Sequence, residues 1–285
     1  MNTIETKAYA KLNLTLDITG RRADGYHDLD MVMISCGLHD VIRIHLDTGK
    51  PWQLRSNRPE LSDGPNDLTW RAAETYFART GISCTGLTLS LEKRIPAGAG
   101  LGGGSSDAAA VLHALNRFYG CPLSLQALCE IGLQLGADVP YCLVRGTQRA
   151  LGKGERLTPL PPMPDCWILL CKPEVSFPTP ELFRAVDARN DIPHPDCRAM
   201  AEAICTQDLK QIGRLLGNSF LPVALERAPE VGSLLQQIQS CGALGATMTG
   251  SGSCVFGLFA DRNAAEKCGA LLSKCHCQVF LTRPV

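Results

Sequence analysis

The chain has 285 residues, of which 28 are basic and 28 acidic, and 45% are hydrophobic. That length fits one large domain or two modest ones with a sizeable core, and a net charge of zero argues against nucleic acid or a membrane surface as a bulk partner. No apolar run reaches the roughly 18 residues that span a bilayer, and the opening stretch Met1-Asn2-Thr3-Ile4-Glu5-Thr6-Lys7 has no apolar signal region, so a cytoplasmic location is expected.

In chain order, the first expected strand is 8–18. Its alternation puts Leu12, Leu14 and Leu16 on one face and Lys11, Asn13 and Thr15 on the other. A turn follows at 20–25, then strands at 31–34 and 41–46. Asp67 caps an expected helix over 68–79, which Gly81 ends. An alternating strand at 87–91 leads into a glycine-rich loop and a helix running to about Phe118. Ser124 caps a helix over 125–135, closed by Gly136.

The proline-rich run Thr158-Pro159-Leu160-Pro161-Pro162-Met163-Pro164 marks a domain boundary. The expected division is 1–157, carrying the glycine loop, and 158–285. In the second part strands are expected at 167–171, 245–248, 254–259 and 278–282. Helices are expected at 180–188, 208–217, 229–240 and, after the cap Asp261, to about 272. This alternation predicts an α/β sandwich.

The loop Ile95-Pro96-Ala97-Gly98-Ala99-Gly100-Leu101-Gly102-Gly103-Gly104-Ser105-Ser106-Asp107 is the most informative stretch. It places five glycines within seven residues, directly before the apolar run 108–112. Glycine lets backbone N–H groups converge on a ligand, and a helix start carries unpaired donors and partial positive charge. The combination predicts a phosphate cradle; the plainer alternative is a turn capped by Ser105 or Ser106. Gly98, Gly100 and Gly103 satisfy G-x-G-x-x-G, which leaves a nicotinamide-dependent oxidoreductase as a rival class. However, the preceding strand alternates, and no acid stands about 20 residues on, where a dinucleotide fold wants one. No G-x-x-x-x-G-K-[ST] string occurs.

Fourteen cysteines stand mostly where Val or Ala would serve, as in Tyr141-Cys142-Leu143-Val144. They read as small buried hydrophobes rather than as disulfides. Cys268, Cys275, His276 and Cys277 lack the paired spacings of a zinc site.

Phosphoryl transfer needs held phosphates, compensated charge and an acceptor hydroxyl relieved of its proton. Lys11 and Asn13, displayed on a strand, and Asp138 in Gly136-Ala137-Asp138-Val139-Pro140 are candidates for the last two tasks. The plainer readings are an edge-strand lysine and a helix N-cap. A further cluster, Thr249-Gly250-Ser251-Gly252-Ser253, lies between two expected strands.

Together these stretches resemble the GHMP kinases, the group of galactokinase, homoserine kinase and mevalonate kinase. The likeness covers Pro96 to Ala108 and Thr249 to Ser253, in order along the whole chain. It extends to the branch acting on a cytidine-diphosphate-linked methylerythritol, through 8–14, Arg22-Ala23-Asp24-Gly25-Tyr26-His27, 101–107, 136–140 and 173–180. Tyr9 stands where that branch usually has proline. The resemblance implies an α+β fold: an N-terminal ribosomal-protein-S5-domain-2-like domain and a C-terminal ferredoxin-like sandwich. It implies ATP and Mg2+, and transfer of the γ-phosphoryl to the 2-hydroxyl of the cytidylyl substrate in the non-mevalonate route to isoprenoid precursors. Lys11 and Asp138 are implied as catalytic, with Asp138 the base. Pro96, Ala97, Gly98, Ala99, Gly100, Leu101, Gly102, Gly103, Gly104, Ser105 and Ser106, with Asn66 and Lys93 near adenine, are implied to bind ATP. Asn13, Tyr26, His27, Thr179 and Phe183 are implied to bind the substrate, Phe183 facing Tyr26 across the pyrimidine. A GHMP kinase for an untagged alcohol, of the homoserine or mevalonate type, is the alternative within the family. The metal ligands and the oligomeric state, monomer or weak dimer, stay open.

Overall fold

The computed structural model describes residues 3–47, 49–61 and 64–285. Met1 and Asn2, which open the stretch read as lacking a signal region, lie outside these. The chain divides into two compact units that are discontinuous in sequence. The first is Met1–Ala10, Leu38–Ala97 and Gly102–Arg145; the second is Lys11–Gly37, Gly98–Leu101 and Gly146–Val285. The expected boundary at 157/158 therefore falls inside the second unit. The strands β1 (Thr3–Arg21) and β2 (His27–Leu46) contribute residues to both.

In the first unit β2 pairs antiparallel with β4 (Leu87–Glu92), which pairs parallel with β3 (Gln53–Ser56). The helices are α1 (Leu68–Thr80), α2 (Gly103–Phe118), α3 (Leu125–Leu135) and α4 (Val139–Val144). Local chemistry sets their ends as expected. Asp67 accepts from the Thr69 amide at 2.8 Å, and Gly81 at φ 68° stops α1. Ser124 accepts from the Ala127 amide, and Gly136 follows α3. Buried Ala72, Ala73, Tyr76 and Phe77 on α1, together with 108–112 on α2, form the core between helices.

In the second unit, β5 (Gln148–Gly152) joins β2 and β6 (Arg156–Pro159) in antiparallel pairing. The chain continues through β7 (Trp167–Pro173), α5 (Thr179–Asp187), α6 (Cys197–Cys205), α7 (Leu209–Leu215), β8 (Gly217–Asn218), α8 (Leu221–Arg227), α9 (Pro229–Ser240), β9 (Gly245–Met248), β10 (Val255–Phe259), α10 (Arg262–Leu272) and β11 (Cys277–Thr282). A four-stranded antiparallel sheet runs β11-β7-β10-β9. Every residue of β10 is buried, which is why its sequence is a continuous apolar run rather than an alternation.

Three expectations are corrected. The strands expected at 31–34 and 41–46 are one strand: Gly37, which could have marked a turn between them, is extended within β2, its amide donating to the Arg283 carbonyl at 2.9 Å. The charge that interrupts the run, Asp40, is fully buried and accepts from the Ile95 amide at 2.8 Å and from the Arg94 amide. Strand β3, the pair β5–β6 and helices α6 and α8 go beyond the expected elements, since these short elements take their stability from neighbours rather than from a local pattern. The expected helix at 208–217 ends at Leu215, where the chain turns into β8 beside Thr15 and Leu16.

Candidate active site

The glycine loop is an arch with its carbonyls turned inward. Those of Gly98, Ala99, Gly100 and Leu101 accept, in order, from the Ser253 amide, the Cys254 amide, Thr249 Oγ1 and the Lys11 amide, at 3.0–3.4 Å. With the carbonyls spent, the other side of the backbone is what the arch offers a ligand. Gly100 sits at φ +73°, and a Cβ there would lie 2.1 Å from the Thr249 carbonyl oxygen. Gly100→Ala is therefore expected to displace the arch. Its KM for ATP should rise at least about tenfold, since both the left-handed backbone and the close approach are lost; steady-state kinetics against ATP checks this.

Gly102, also left-handed, is the N-cap of α2 and makes no side-chain capping bond. The helix begins at Gly103, ahead of Ser105, so neither serine is the cap that the plainer reading supposed. Ser106 Oγ donates instead to the Tyr9 carbonyl at 2.6 Å. The first amides of a helix have no partner within it, and the cap residue Gly102 has no side chain to bond them. Anions are bound at such ends.

Lys93 lies at this helix start, its Nζ 3.6 Å from where a Cβ at Gly103 would stand. It forms ion pairs with Asp40 and Asp107, all three side chains being at most 11% exposed. Burial first, and then the neighbouring Asp40, push the Asp107 carboxyl well above the usual range against the pull of Lys93. Asp40 thus grips the Arg94 and Ile95 amides where the loop begins, and Asp107, on α2, binds the same Lys93. Asp40 is a functional residue the sequence reading missed. Leu68 Cδ1 stands 3.5 Å from a Cβ position at Gly104, so the turn holding exposed Asn66 also adjoins the helix start.

Lys11 is 5% exposed on β1, which lies between β2 and β8. It is no edge-strand lysine, and both faces of β1 are covered there: Asn13 and Thr15 are as buried as the leucines. Lys11 Nζ donates to Asn13 Oδ1 at 2.7 Å. The Asn13 amide donates to Thr249 Oγ1 at 3.0 Å, and a Cβ on Gly250 would stand 3.1 Å from Lys11 Nζ. The second unit therefore assembles Lys11–Asn13, the arch and the C-terminal glycine cluster, three stretches far apart in sequence.

Asp138 belongs to the first unit. It occupies the N-cap position of α4 but makes no side-chain capping bond, so capping does not explain it. Gly136, two residues before, places a Cβ position 3.7 Å from Ser105 Oγ.

Tyr26 and His27 end the turn between β1 and β2. Tyr26 is 58% exposed, with Lys153 Nζ 3.7 Å from its ring centroid. Lys153 also bonds Asp24, holding that carboxyl down to about 2. The ring facing Phe183 is not Tyr26 but His27: the two stack at 4.3 Å and 13°. The physical reason is burial, since His27 is 8% exposed and pinned by a 2.7 Å bond from Nε2 to Asp187 Oδ1, whereas Tyr26 projects outward. Thr179 and Ser251 share a hydroxyl bond of 2.8 Å, tying α5 to the C-terminal glycine cluster. No group of three or more His, Cys, Asp or Glu fit to hold a metal occurs among the described residues, Cys268, Cys275, His276 and Cys277 included.

Two family models match: the GHMP kinases N terminal domain over residues 67–146 and the GHMP kinases C terminal over residues 200–274. A 4-diphosphocytidyl-2-C-methyl-D-erythritol kinase of Lachnoclostridium phytofermentans is 43% identical over 267 residues, covering 94% of this chain and 91% of its own. The chain belongs to the 4-diphosphocytidyl-2-C-methyl-D-erythritol kinase family of GHMP kinases. The enzyme of that name from Desulfitobacterium hafniense is 41% identical to this kinase over 99% of this chain and 96% of its own. A crystal structure of 4-(cytidine 5'-diphospho)-2C-methyl-D-erythritol kinase superposes with a TM-score of 0.84 at 34% identity, covering 99% of both chains. This kinase is thus a phosphotransferase with the α+β, two-domain GHMP fold, and its family uses ATP. The oxidoreductase reading of Gly98, Gly100 and Gly103 falls. Among the described residues no helix is long and apolar enough to cross a membrane.

Proposed function

We propose that this kinase transfers the γ-phosphoryl group of ATP to the 2-hydroxyl of 4-diphosphocytidyl-2-C-methyl-D-erythritol, giving the 2-phosphate and ADP in the non-mevalonate route to isoprenoid precursors. The observation that carries it is the near-full-length identity to kinases of that name, together with the Tyr26-His27 turn, which an untagged alcohol has no need of. Turnover with the cytidylyl substrate, against homoserine and mevalonate, tests it; equal turnover of an untagged alcohol refutes it.

In this reading Asp138 accepts the proton of the substrate 2-hydroxyl as that hydroxyl oxygen bonds to the γ-phosphorus and the bond to ADP breaks. Lys11, the electrostatic partner, offsets charge growing on the acceptor oxygen. Asn13, held by Lys11 and Thr249, orients the methylerythritol end. Pro96 and Ala97 lead into the arch, whose amides and the α2 terminus hold the β- and γ-phosphates. Asn66 and Lys93 flank the adenine side.

Tyr26 supplies a face for the pyrimidine, and His27 reads the base edge through Nδ1 or its backbone, Nε2 being taken by Asp187. Phe183 completes the clamp by backing His27, and Thr179 meets the diphosphate side. Stacking of a base on an aromatic ring is worth roughly 1–3 kcal/mol. Tyr26→Ala should therefore raise KM for the cytidylyl substrate roughly 5- to 150-fold and leave KM for ATP within about twofold; initial rates against each substrate decide it.

Magnesium belongs to the same proposal. With no self-sufficient carboxylate cluster among the described residues and Asp107 bound by Lys93, the site fits an ion carried mainly on phosphate oxygens, as hard, reluctantly dehydrated cations are. The Ser105 hydroxyl at the α2 start is the protein group nearest that role. Bound there, the ion supplies charge neutralisation on the phosphates. A cytoplasmic location completes the proposal; fourteen free cysteines suit a reducing compartment.

A further inference from the structure

Lys172, at the end of β7, is 5% exposed. Its ammonium donates to the Pro173 carbonyl at 2.7 Å, the Val175 carbonyl at 2.8 Å and Ser176 Oγ at 3.2 Å. All three donors are thus spent on neutral acceptors, and among the described residues no carboxylate is a partner. An ionised group out of water ordinarily has a counter-ion, because hydration is lost and only an opposite charge restores it in full. Lys172 is therefore a cation the protein alone leaves unbalanced.

Its surroundings say where the missing charge belongs. Ser176 Oγ, which Lys172 holds, stands 2.8 Å from where a Cβ on Gly98 would be. The Val175 carbonyl that takes one ammonium proton also accepts from Ser253 Oγ, and the Ser253 amide donates to the Gly98 carbonyl. The ammonium therefore sits one layer beneath the arch, on the side where its carbonyls are already bound.

We propose that Lys172 is the buried charge-balancing and positioning residue of the phosphate arch, its counter-ion being the phosphate chain of the bound nucleotide. The lysine seats 173–176 against Gly98 through its three hydrogen bonds, and its charge makes the arch more favourable for each added phosphate. Burial also lowers its pKa, as expected of an ammonium whose balancing anion has yet to arrive. The proposal rests on ATP being the phosphoryl donor.

The test removes the charge while keeping a donor. Dissociation constants of AMP, ADP and ATP are measured by calorimetry for the wild type, Lys172→Gln and Lys172→Arg, with circular dichroism confirming the fold and Lys172→Met as a second neutral variant. A charge beneath the arch, reached through Ser176, acts on each phosphate by Coulomb attraction. The neutral variants should therefore lose about twofold for AMP, rising to about tenfold or more for ATP, and Lys172→Arg should restore most of that dependence. An equal loss for all three nucleotides means that Lys172 is only a structural tie and overturns the proposal, as does no loss. Wild-type protein that binds ATP but transfers nothing to the cytidylyl substrate would sink the functional reading instead, while the nucleotide series would still decide the role of Lys172.

Discussion

Asp138→Asn should lower kcat by roughly 10²- to 10⁴-fold, the usual worth of a positioned general base, with KM for both substrates within a few-fold of wild type. Asparagine keeps the size and much of the hydrogen bonding of the side chain but cannot take the hydroxyl proton. The absence of a capping bond at Asp138 means that the loss should not come from unravelling α4, and an unchanged thermal midpoint would confirm that. Lys11→Met tests the pairing. If the two groups act as one device, the double variant should be scarcely slower than the worse single variant, because residues working as a unit are strongly non-additive. A near-normal kcat for Asp138→Asn in an ADP-coupled assay would remove it from the role of base. Independent, multiplying losses would separate Lys11 from it.

Lys93→Met should cost the fold far more stability than Asp138→Asn or Tyr26→Ala. Lys93 is the shared cation of Asp40 and Asp107, whose side chains are 0% and 3% exposed. Removing one partner of a buried ionic group costs about 3–5 kcal/mol, and the thermal midpoint should fall by roughly 10 °C. Two carboxylates would then face each other out of water, with Asp107 Oδ1 already lacking a hydrogen-bond partner among the described residues.

The pH dependence has a definite sign. The folded-state pKa of Asp107 is raised by burial and by Asp40 against the pull of Lys93, so the native protein binds a proton there more readily than the unfolded chain does. That contribution is complete below the unfolded value of about 4 and fades as pH rises through the folded pKa. Without the pull of Lys93 the folded pKa rises further. The gap between wild type and Lys93→Met in urea midpoint should therefore widen from pH 5 to pH 8. Asp107→Asn, which removes one of the two carboxylates that share Lys93, should cost less than Lys93→Met, which leaves both without their cation.

Much of the molecule was legible because its signals are local. Asp67, Ser124 and Asp261 each accept from an amide two or three residues ahead. A cap of that kind depends on a few neighbouring residues, so α1, α3 and α10 could be bounded from the letters alone. The five crowded glycines announced an arch for the same reason: few side chains survive at φ +73° against the Thr249 carbonyl oxygen.

What stayed hidden depends on residues distant in sequence. Asp40 and Lys172 look like charges interrupting or ending apolar strands, which is also how Lys11 looks. The argument that singled out Lys11 could have flagged them, but their partners lie on other segments or in the fold of the following turn. Likewise, Phe183 lies against His27 rather than Tyr26 because Asp187 pins the imidazole inward.

The letters by themselves determined the caps, the arch, the catalytic candidates and the family, since motifs and turn chemistry act over a few residues. Tertiary structure alone decided that β1 is buried on both faces, that the arch carbonyls are spent on Lys11 and the Thr249–Cys254 turn, and which buried charges are balanced. Those outcomes turn on desolvation and close approach, and neither exists until distant segments have packed together.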